Sequence, residues 1–321
     1  MSGVPDLFVA IVNPESGSGR GARRWPVIEG KLREALAARG ELEVVATRGP
    51  RDATRAAREA ALGGAVAVLA AGGDGTLSEV VAGVLAAGAA ETVALGLVPL
   101  GTGGDYPRTL GITDAEHAVD VIARGNERRV DAGRVEYVDD EGRAREGWFA
   151  NEASLGLSAE VAHRVSRASK RLGGVAAFAQ AAVRTIAAFR PAAVRVRVDE
   201  AVVHEGDATL VAIANGRYFG GAMRIAPDAR LDDGAFDVVV GGELGKAELV
   251  ARLLPSIYTG RHVEHPGVAV VRGRRVAVEA LRGPVRLEAD GETLGATPLR
   301  AEVLPGALRF LAPEPRRRPS P

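Results

Sequence analysis

The feature that most constrains the fold is a regular alternation of short apolar runs with longer helical patterns in the first hundred residues. Short β-rich runs at 7–12, 42–46, 66–70 and 93–98 alternate with helical patterns at 23–39, 52–62 and 76–87. The run AVAVLA at 65–70 is apolar at every position, which is typical of a strand covered on both faces. This alternation predicts a doubly wound α/β domain with a parallel sheet.

The pattern changes after about residue 130, where many β-like runs are separated by turn signals. Such spacing favours an antiparallel sandwich or barrel, and one helical stretch at 159–189 interrupts it. The length of 321 residues favours two domains over one. We therefore predict an α/β domain over 1–130 and an antiparallel β-sandwich domain over 131–302, with 303–321 packing back on the first domain.

Composition excludes several classes of function. Lys and Arg total 41 and Asp and Glu total 41, so the chain has no net field to hold nucleic acid, and we predict no nucleic-acid partner. The absence of cysteine excludes disulfides and thiolate metal sites and fits a cytoplasmic protein. The longest apolar stretch, 80–90, is much shorter than the roughly 20 residues that span a bilayer. The start of the chain lacks the pattern of a signal peptide, so we predict a cytoplasmic protein without a transmembrane segment.

Three glycine-rich loops follow predicted strands of the first domain. They are NPESGSG at 13–19, GGDGT at 72–76 and GTGGD at 101–105. The carboxyl ends of the strands form the ligand crevice of an open α/β sheet, and glycine lets backbone N–H groups approach phosphate oxygens at a helix N-terminus. One such loop is explained equally well by tight packing, but three in register predict a phosphate site. Asp74 and Asp105 are then suited to hold magnesium between phosphates.

Two other nucleotide motifs fit less well. No stretch matches the P-loop pattern, which disfavours an ordinary P-loop site. Gly17, Gly19 and Ala22 do satisfy the dinucleotide pattern after a strand. However, the second strand ends at 46–48 without an acidic residue for a ribose hydroxyl, and this interpretation leaves the loop at 72–76 unexplained.

Two acidic turns in the second half are candidate chemical sites. If 287–292 is a continuous strand, Asp290 and Glu292 point to one face, where one carboxylate orients and the other accepts a proton. The alternative is a hairpin turn at Asp290-Gly291, which the spacing alone favours. The same alternative applies to Asp232-Asp233-Gly234, whose oxygens are also suited to magnesium.

Taken together, these segments resemble the diacylglycerol kinase catalytic domain family, which includes bacterial soluble diacylglycerol kinases, other bacterial lipid kinases and sphingosine kinases. The resemblance continues through 215–221, 226–234 and 290–292, so it covers nearly the whole chain in the family's order. It implies a nucleotide domain, a C-terminal β-sandwich and ATP in the cleft between them. The loop at 72–76 alone would be shared with NAD kinases and phosphofructokinases.

The resemblance also implies roles for single residues. Glu292 would be the general base, and magnesium would lie at Asp233 beside the carbonyls of Arg230 and Ala235. From the acidic motifs themselves we add Asp290 and Asp74 as predicted catalytic carboxylates. One departure is Gly104, where the family usually has asparagine; its loss removes an amide near the phosphates. The loops and the resemblance together predict ATP contacts at Asn13, Ser16, Gly17, Thr47, Gly72, Gly73, Asp74, Gly75, Thr76, Leu77, Ser78, Gly101, Thr102 and Asp105.

The function that the resemblance implies is ATP- and magnesium-dependent phosphorylation of diacylglycerol to phosphatidic acid. The alternatives are another lipid acceptor, either a sphingoid base or phosphatidylglycerol, an NAD kinase, and a nucleotide-binding regulatory module that transfers no phosphate. The helical stretch at 166–189 carries basic residues around an apolar series. It would either contact a lipid or a membrane surface transiently, or pack as an ordinary half-buried helix. The resemblance is also compatible with a homodimer.

Overall fold

The chain divides into two compact units in a computed structural model that describes residues 5–167, 185–186 and 188–314. The first unit comprises Met1–Val130 and Gly306–Pro321, and the second comprises Asp131–Pro305. The chain passes between the units within two strands, β5 (Glu127–Val138) and β15 (Glu292–Leu311).

The first unit is a parallel sheet connected by helices. Its strands lie in the order β2-β1-β3-β4, and the end of β15 pairs parallel to β4 at the edge. This arrangement confirms the predicted doubly wound α/β fold. In chain order the elements are β1 (Asp6–Val12), α1 (Arg20–Leu36), β2 (Gly40–Ala46), α2 (Asp52–Leu62), β3 (Ala67–Gly72), α3 (Asp74–Ala86), β4 (Ala94–Pro99), α4 (Asp105–Leu110) and α5 (Ala115–Arg124).

The apolar patterns of the sequence explain these elements. Strand β3 is buried at all of its positions, as expected of a strand covered on both faces. Helix α1 buries Trp25, Ile28 and Leu32, which recur at helical spacing on one face. Helix α5 begins where the Asp114 carboxylate accepts hydrogen bonds from the N–H groups of Glu116 and His117, an N-cap that stops fraying at this end.

The second unit is built from antiparallel strands, which confirms the predicted sandwich-like domain. One series of paired strands runs β12-β11-β10-β7-β14-β15. Strand β13 pairs with both β15 and β8, and β8 also pairs with β9. Their inward side chains form a Val-rich core in which Phe149 stacks on Phe236, with ring centroids 5.4 Å apart. Besides β5 and β15, the strands are β6 (Ala144–Phe149), β7 (Glu152–Gly156), β8 (Ala192–Val198), β9 (Ala201–Ala208), β10 (Leu210–Ala214), β11 (Phe236–Gly241), β12 (Val268–Gly273), β13 (Arg275–Ala280) and β14 (Arg286–Ala289).

The helices of the second unit differ from the sequence-based expectation. Helix α6 (Leu157–Arg167) begins the predicted stretch at 159–189, and most of the 166–189 segment considered for lipid contact lies outside the described residues. A helical segment that was not predicted runs from α7 (Lys246–Glu248) through a π-helical turn (Leu249–Leu253) into α8 (Leu254–Thr259). Within the described part of the chain, every helix is too short or too polar to cross a bilayer.

Candidate active site

The three glycine-rich loops lie side by side in the first unit, because they follow three neighbouring parallel strands. The Asn13 N–H donates to Ala71 O at 2.9 Å, and the Leu100 N–H donates to Gly72 O at 2.8 Å. The Asn13 side chain also donates from Nδ2 to Thr76 Oγ1 at 3.2 Å. The loops after β1, β3 and β4 are therefore one connected surface, as the sequence predicts.

Close backbone approach explains why glycine occupies these positions. A Cβ added to Gly101 would lie 2.7 Å from Gly73 Cα, and one added to Gly17 would lie 2.8 Å from Leu100 O. Gly17 also has a φ of 62°, in the left-handed region that favours glycine. The loops can pack in this way only if these residues carry no side chain.

The packed loops present the N-terminus of α3, which follows Gly73. This helix begins without a side-chain cap, so the N–H groups of its first turn have no intrahelical partner. Such groups bind anions, and the helix dipole adds favourable partial charge. Gly75 and Thr76 belong to this turn, where the sequence predicts phosphate contacts.

Asp74 has a local partner that the sequence did not reveal. Its carboxylate accepts hydrogen bonds from the backbone N–H groups of Asp105 at 3.2 Å and Tyr106 at 3.1 Å. It therefore caps α4 and fixes the third loop against the second. Asp105 is buried, and its carboxylate lies 3.5 Å from the Arg108 guanidinium. A magnesium role for these two acids remains a prediction.

The other predicted ATP-binding residues of this unit lie at the same edge with different exposure. Thr47 follows β2, and its N–H donates to Val12 O at 2.8 Å. Thr102 is exposed, Ser78 is half-buried and Ser16 is buried. Leu77 is different, since its side chain is only 2% exposed in the core. Any ligand contact of Leu77 is thus limited to its backbone.

We expect that Gly104 can be replaced by asparagine without loss of the fold. Gly104 is the N-cap of α4 with φ 67° and ψ 37°, a conformation that asparagine tolerates. Apart from its chain neighbours, no described residue has an atom within 4 Å of the position of an added Cβ. Gly104→Asn should change the free energy of unfolding by less than about 1 kcal/mol, measured by urea denaturation. Gly104→Val is the control, because a β-branched residue is strained in this region; equal destabilisation by both variants would contradict the expectation.

The second unit carries the predicted Asp-Gly-Glu segment on a hairpin. Asp290 and Gly291 connect β14 to β15 with φ values of 48° and 84°, and Ala289 pairs with Glu292. Two positive φ values in a two-residue loop define a type I′ turn, for which Asp-Gly is favoured. The hairpin interpretation is confirmed, and a continuous strand over 287–292 is wrong. Glu292 is the exposed first residue of β15.

Asp290 anchors this hairpin to the start of β7. Its carboxylate accepts three backbone hydrogen bonds, from Ala150 at 2.9 Å, Asn151 at 2.9 Å and Glu152 at 3.0 Å. Charge-assisted bonds of this kind are stronger than neutral ones. Asp290 therefore fixes the hairpin turn to the start of β7.

Two buried glutamates behind the hairpin were missed in the sequence. Glu152 on β7 is 3% exposed and Glu288 on β14 is 2% exposed. Burial raises the pKa of Glu152 well above its usual range, and the negative charge of Glu288 raises it further. The sequence signal that was available is one glutamate in each of two short β-like runs, EASLG and RLEA.

The predicted magnesium ligand Asp233 is half-buried and contacts Arg272, which also contacts the buried acid Asp237. Asp233 forms a salt bridge with Arg272 through Oδ2, while no described donor reaches its buried Oδ1. Asp237 likewise has a buried Oδ2 that no described group satisfies, and burial raises its pKa to about 6, although Arg272 opposes this. Free carboxylate oxygens fit a hard cation. Among the described residues, no cluster of three or more His, Asp or Glu has metal-binding geometry.

The turn at 232–234 differs from the predicted hairpin. Only its second arm continues as a strand, β11, whereas residues 224–231 form turns and bends. The Gly234 N–H donates to Asp131 Oδ2 at 2.7 Å, and the Asp131 N–H donates to Leu231 O. Asp131 therefore holds this turn in the place of a partner strand.

The first unit thus carries a glycine-lined sheet edge, and the second unit carries an acidic hairpin. Residues 7–135 match the model of the diacylglycerol kinase catalytic domain, and residues 151–312 match that of the YegS C-terminal NAD kinase beta sandwich-like domain. The chain belongs to the diacylglycerol kinase and lipid kinase family, and it is a kinase of that family.

Similar proteins support this assignment over almost the full length. The chain is 30% identical over 308 residues to a diacylglycerol kinase of Mycobacterium tuberculosis (strain ATCC 25618 / H37Rv), covering 95% of this chain and 94% of that protein. It is 33% identical over 286 residues to a Stenotrophomonas maltophilia (strain K279a) protein named "Probable lipid kinase YegS-like", with 85% and 87% covered. The crystal structure of a diacylglycerol kinase from Bacillus anthracis str. Sterne has the same fold, with a TM-score of 0.69 and 21% identity, covering 98% of this chain and 99% of that one.

Proposed function

We propose that this protein transfers the γ-phosphoryl group of ATP to the free hydroxyl of diacylglycerol and so makes phosphatidic acid. The observation that carries the proposal is the packing of three glycine-rich loops at the carboxyl ends of β1, β3 and β4. The names of its relatives, diacylglycerol kinase and lipid kinase, support a lipid acceptor. The protein would reach its lipid substrate through transient contact with a membrane surface. A homodimer remains a prediction.

The loops would hold ATP through their backbone. The first turn of α3 supplies N–H groups for phosphate oxygens, and the close contact between Gly73 and Gly101 holds the second and third loops together. Asn13, which donates to Thr76, keeps the first loop in register with that turn. Charge developing on the transferred phosphoryl group would be stabilised by groups that are already in place.

Glu292 would be the general base of the reaction. The acceptor hydroxyl oxygen forms a bond to the γ-phosphorus, the bond to the β–γ bridging oxygen breaks, and ADP leaves. The hydroxyl proton passes to the Glu292 carboxylate, which is exposed at the start of β15. Phosphoryl transfer needs little more from a protein than alignment, charge stabilisation and a proton acceptor.

Magnesium would serve in two places in this account. With ATP it would neutralise phosphate charge, and Asp74 and Asp105 are the acids that we propose near it. A second ion would bind Asp233 with the carbonyls of Arg230 and Ala235 and would support the fold of the acidic turn. The free Oδ1 of Asp233 is the observation that favours this second site.

The second site can be tested by thermal unfolding. Magnesium should raise the melting temperature of the wild type, because a ligand that binds only the folded state stabilises it. Asp233→Asn should lose this rise, while Asp140→Asn, on an exposed loop of the same unit, should keep it. An equal rise in the melting temperature of Asp233→Asn would show that Asp233 does not bind the second ion.

The acceptor can be identified by an assay on four compounds. Purified protein, labelled ATP and magnesium would be incubated with diacylglycerol or phosphatidylglycerol in vesicles, with sphingosine, or with NAD in buffer. We expect label in diacylglycerol. Label in another lipid would change the acceptor, and label only in NAD, without vesicles, would establish an NAD kinase. ATP binding without any transfer would establish a regulatory module.

A further inference from the structure

We propose that Glu152 and Glu288 form a proton-sharing pair that positions the proposed base, Glu292. The inference rests on the proposed function and adds two positioning residues to it. Its basis is the hydrogen bonding of the hairpin that carries Glu292, together with the burial of the pair on neighbouring strands β7 and β14, where Ala153 pairs with Ala289 and Ser154 with Glu288.

Glu288 holds the turn directly. Its Oε2 accepts a hydrogen bond from the Gly291 N–H at 2.8 Å, and Gly291 is the residue that precedes Glu292. Its Oε1 accepts a hydrogen bond from the Ser154 hydroxyl, which is also 2.6 Å from the Ser158 hydroxyl. A carboxylate that accepts bonds at both oxygens is favoured in its ionised form. Glu288 is therefore the charged member of the pair.

Glu152 is the protonated member. No described donor reaches its buried Oε2, so an ionised Glu152 would be an uncompensated charge in the interior. Because Ser154 pairs with Glu288, Glu152 lies two residues along β7 on the same face of the sheet, diagonal to Glu288. Only a protonated Glu152 can donate a hydrogen bond to the Glu288 carboxylate. One proton held between the two carboxyls satisfies both side chains and leaves a single buried charge.

The surrounding groups make a second charge unfavourable. Asp290 lies on the turn, and its charge raises the pKa of both glutamates, although burial is the larger cause. Strand β10, on the other side of β7, carries no titratable residue. The adjoining elements also carry other charged or titratable residues, which are Arg286 on β14, Glu292, Arg300, Glu302 and Arg309 on β15, and Glu160, His163, Arg164 and Arg167 on α6. Of these, Glu160 pairs with Arg286 at 3.4 Å.

Loss of the shared proton would therefore place two charges behind the turn and displace Gly291 and Glu292. Since a small displacement of a catalytic group lowers the rate steeply, kcat should fall as the pH rises through the raised pKa of Glu152. Glutamine at position 152 keeps a hydrogen-bond donor toward Glu288 but cannot ionise.

The test compares the pH profiles of kcat for the wild type, Glu152→Gln and Glu288→Gln. We expect the kcat of the wild type to fall as the pH rises. In Glu152→Gln this fall should move to higher pH or disappear. Glu288→Gln should lower kcat by up to about 100-fold, with KM for ATP changed less than about twofold since the loops of the first unit are untouched. Superimposable profiles of wild type and Glu152→Gln, or a kcat of Glu288→Gln equal to that of an exposed control, Glu243→Gln, would overturn the inference.

A second measurement does not depend on turnover. A carboxyl that folding keeps protonated stabilises the fold fully below its ordinary pKa of 4.5, and this stability is lost as the pH rises through the raised pKa. The urea midpoint of the wild type should therefore fall over this range more than that of Glu152→Gln; parallel curves would contradict a shared proton. If the wild type phosphorylates no acceptor, the proposed function is wrong. The urea measurement would then still show whether Glu152 and Glu288 share a proton.

Discussion

Replacement of Glu292 by glutamine is expected to lower the rate of phosphoryl transfer by about 10²- to 10⁴-fold, the usual contribution of a general base. Glutamine keeps the size of the side chain but cannot accept the hydroxyl proton. The affinity for ATP should remain at the wild-type value, because the glycine-rich loops that we propose for ATP belong to the first unit. Single-turnover transfer and calorimetric ATP titration would measure the two quantities separately.

The control for this variant is Glu243→Gln, an exposed glutamate of the same unit. It removes the same charge and should leave transfer unchanged. If Glu292→Gln retains wild-type transfer, Glu292 is not the base. If both variants lose activity to a similar degree, the effect belongs to the charge of the unit and not to proton acceptance at position 292.

Gly101→Ala is expected to have the second largest effect, on the use of ATP. The added Cβ would lie 2.7 Å from Gly73 Cα, so the second and third loops would have to separate. A shift of this kind in a group that positions a substrate can cost about 10²-fold in kcat/KM, and we expect such a loss in kcat/KM for ATP. Steady-state kinetics with varied ATP would measure it.

Gly30→Ala is the matched control for the glycine substitution. Gly30 lies in α1, and beyond its own helix an added Cβ would have no atom of a described residue within 4 Å. Alanine in a helix interior is favoured over glycine by about 1 kcal/mol, so this variant should be as stable as the wild type or more stable, with unchanged kinetics. Equal kinetics for Gly101→Ala and Gly30→Ala would mean that ATP does not use the loop contact.

Local signals were sufficient for much of the fold. Helix α2 has the predicted bounds, 52–62, because its alanine-rich face repeats at helical spacing. Strands β1 and β3 lie within one or two residues of prediction. Helix α4 was not predicted, since its six residues are too few to show a period. The segment at 246–259 was missed as well, and a π-helical turn interrupts its apolar repeat.

Prediction of the candidate site succeeded where local conformation follows from residue type. It failed where the site depends on tertiary contacts. Glycine after a strand marks the loops that we propose for phosphate, and Asp290-Gly291 marks a type I′ turn. Nothing local indicates that Asp74 caps α4 or that Asp290 binds the amides of 150–152, because these contacts join residues that are 31 and about 140 positions apart. The Glu152–Glu288 pair depends on strand order, which a single sequence does not state.

The most direct test of the central claim is transfer of the labelled γ-phosphate of ATP to diacylglycerol in vesicles, with wild type and Glu292→Gln assayed side by side. We expect the wild type to yield labelled phosphatidic acid and Glu292→Gln to yield almost none while it still binds ATP. Absence of label in every lipid under conditions where ATP is bound, or label that appears only in NAD, would contradict it.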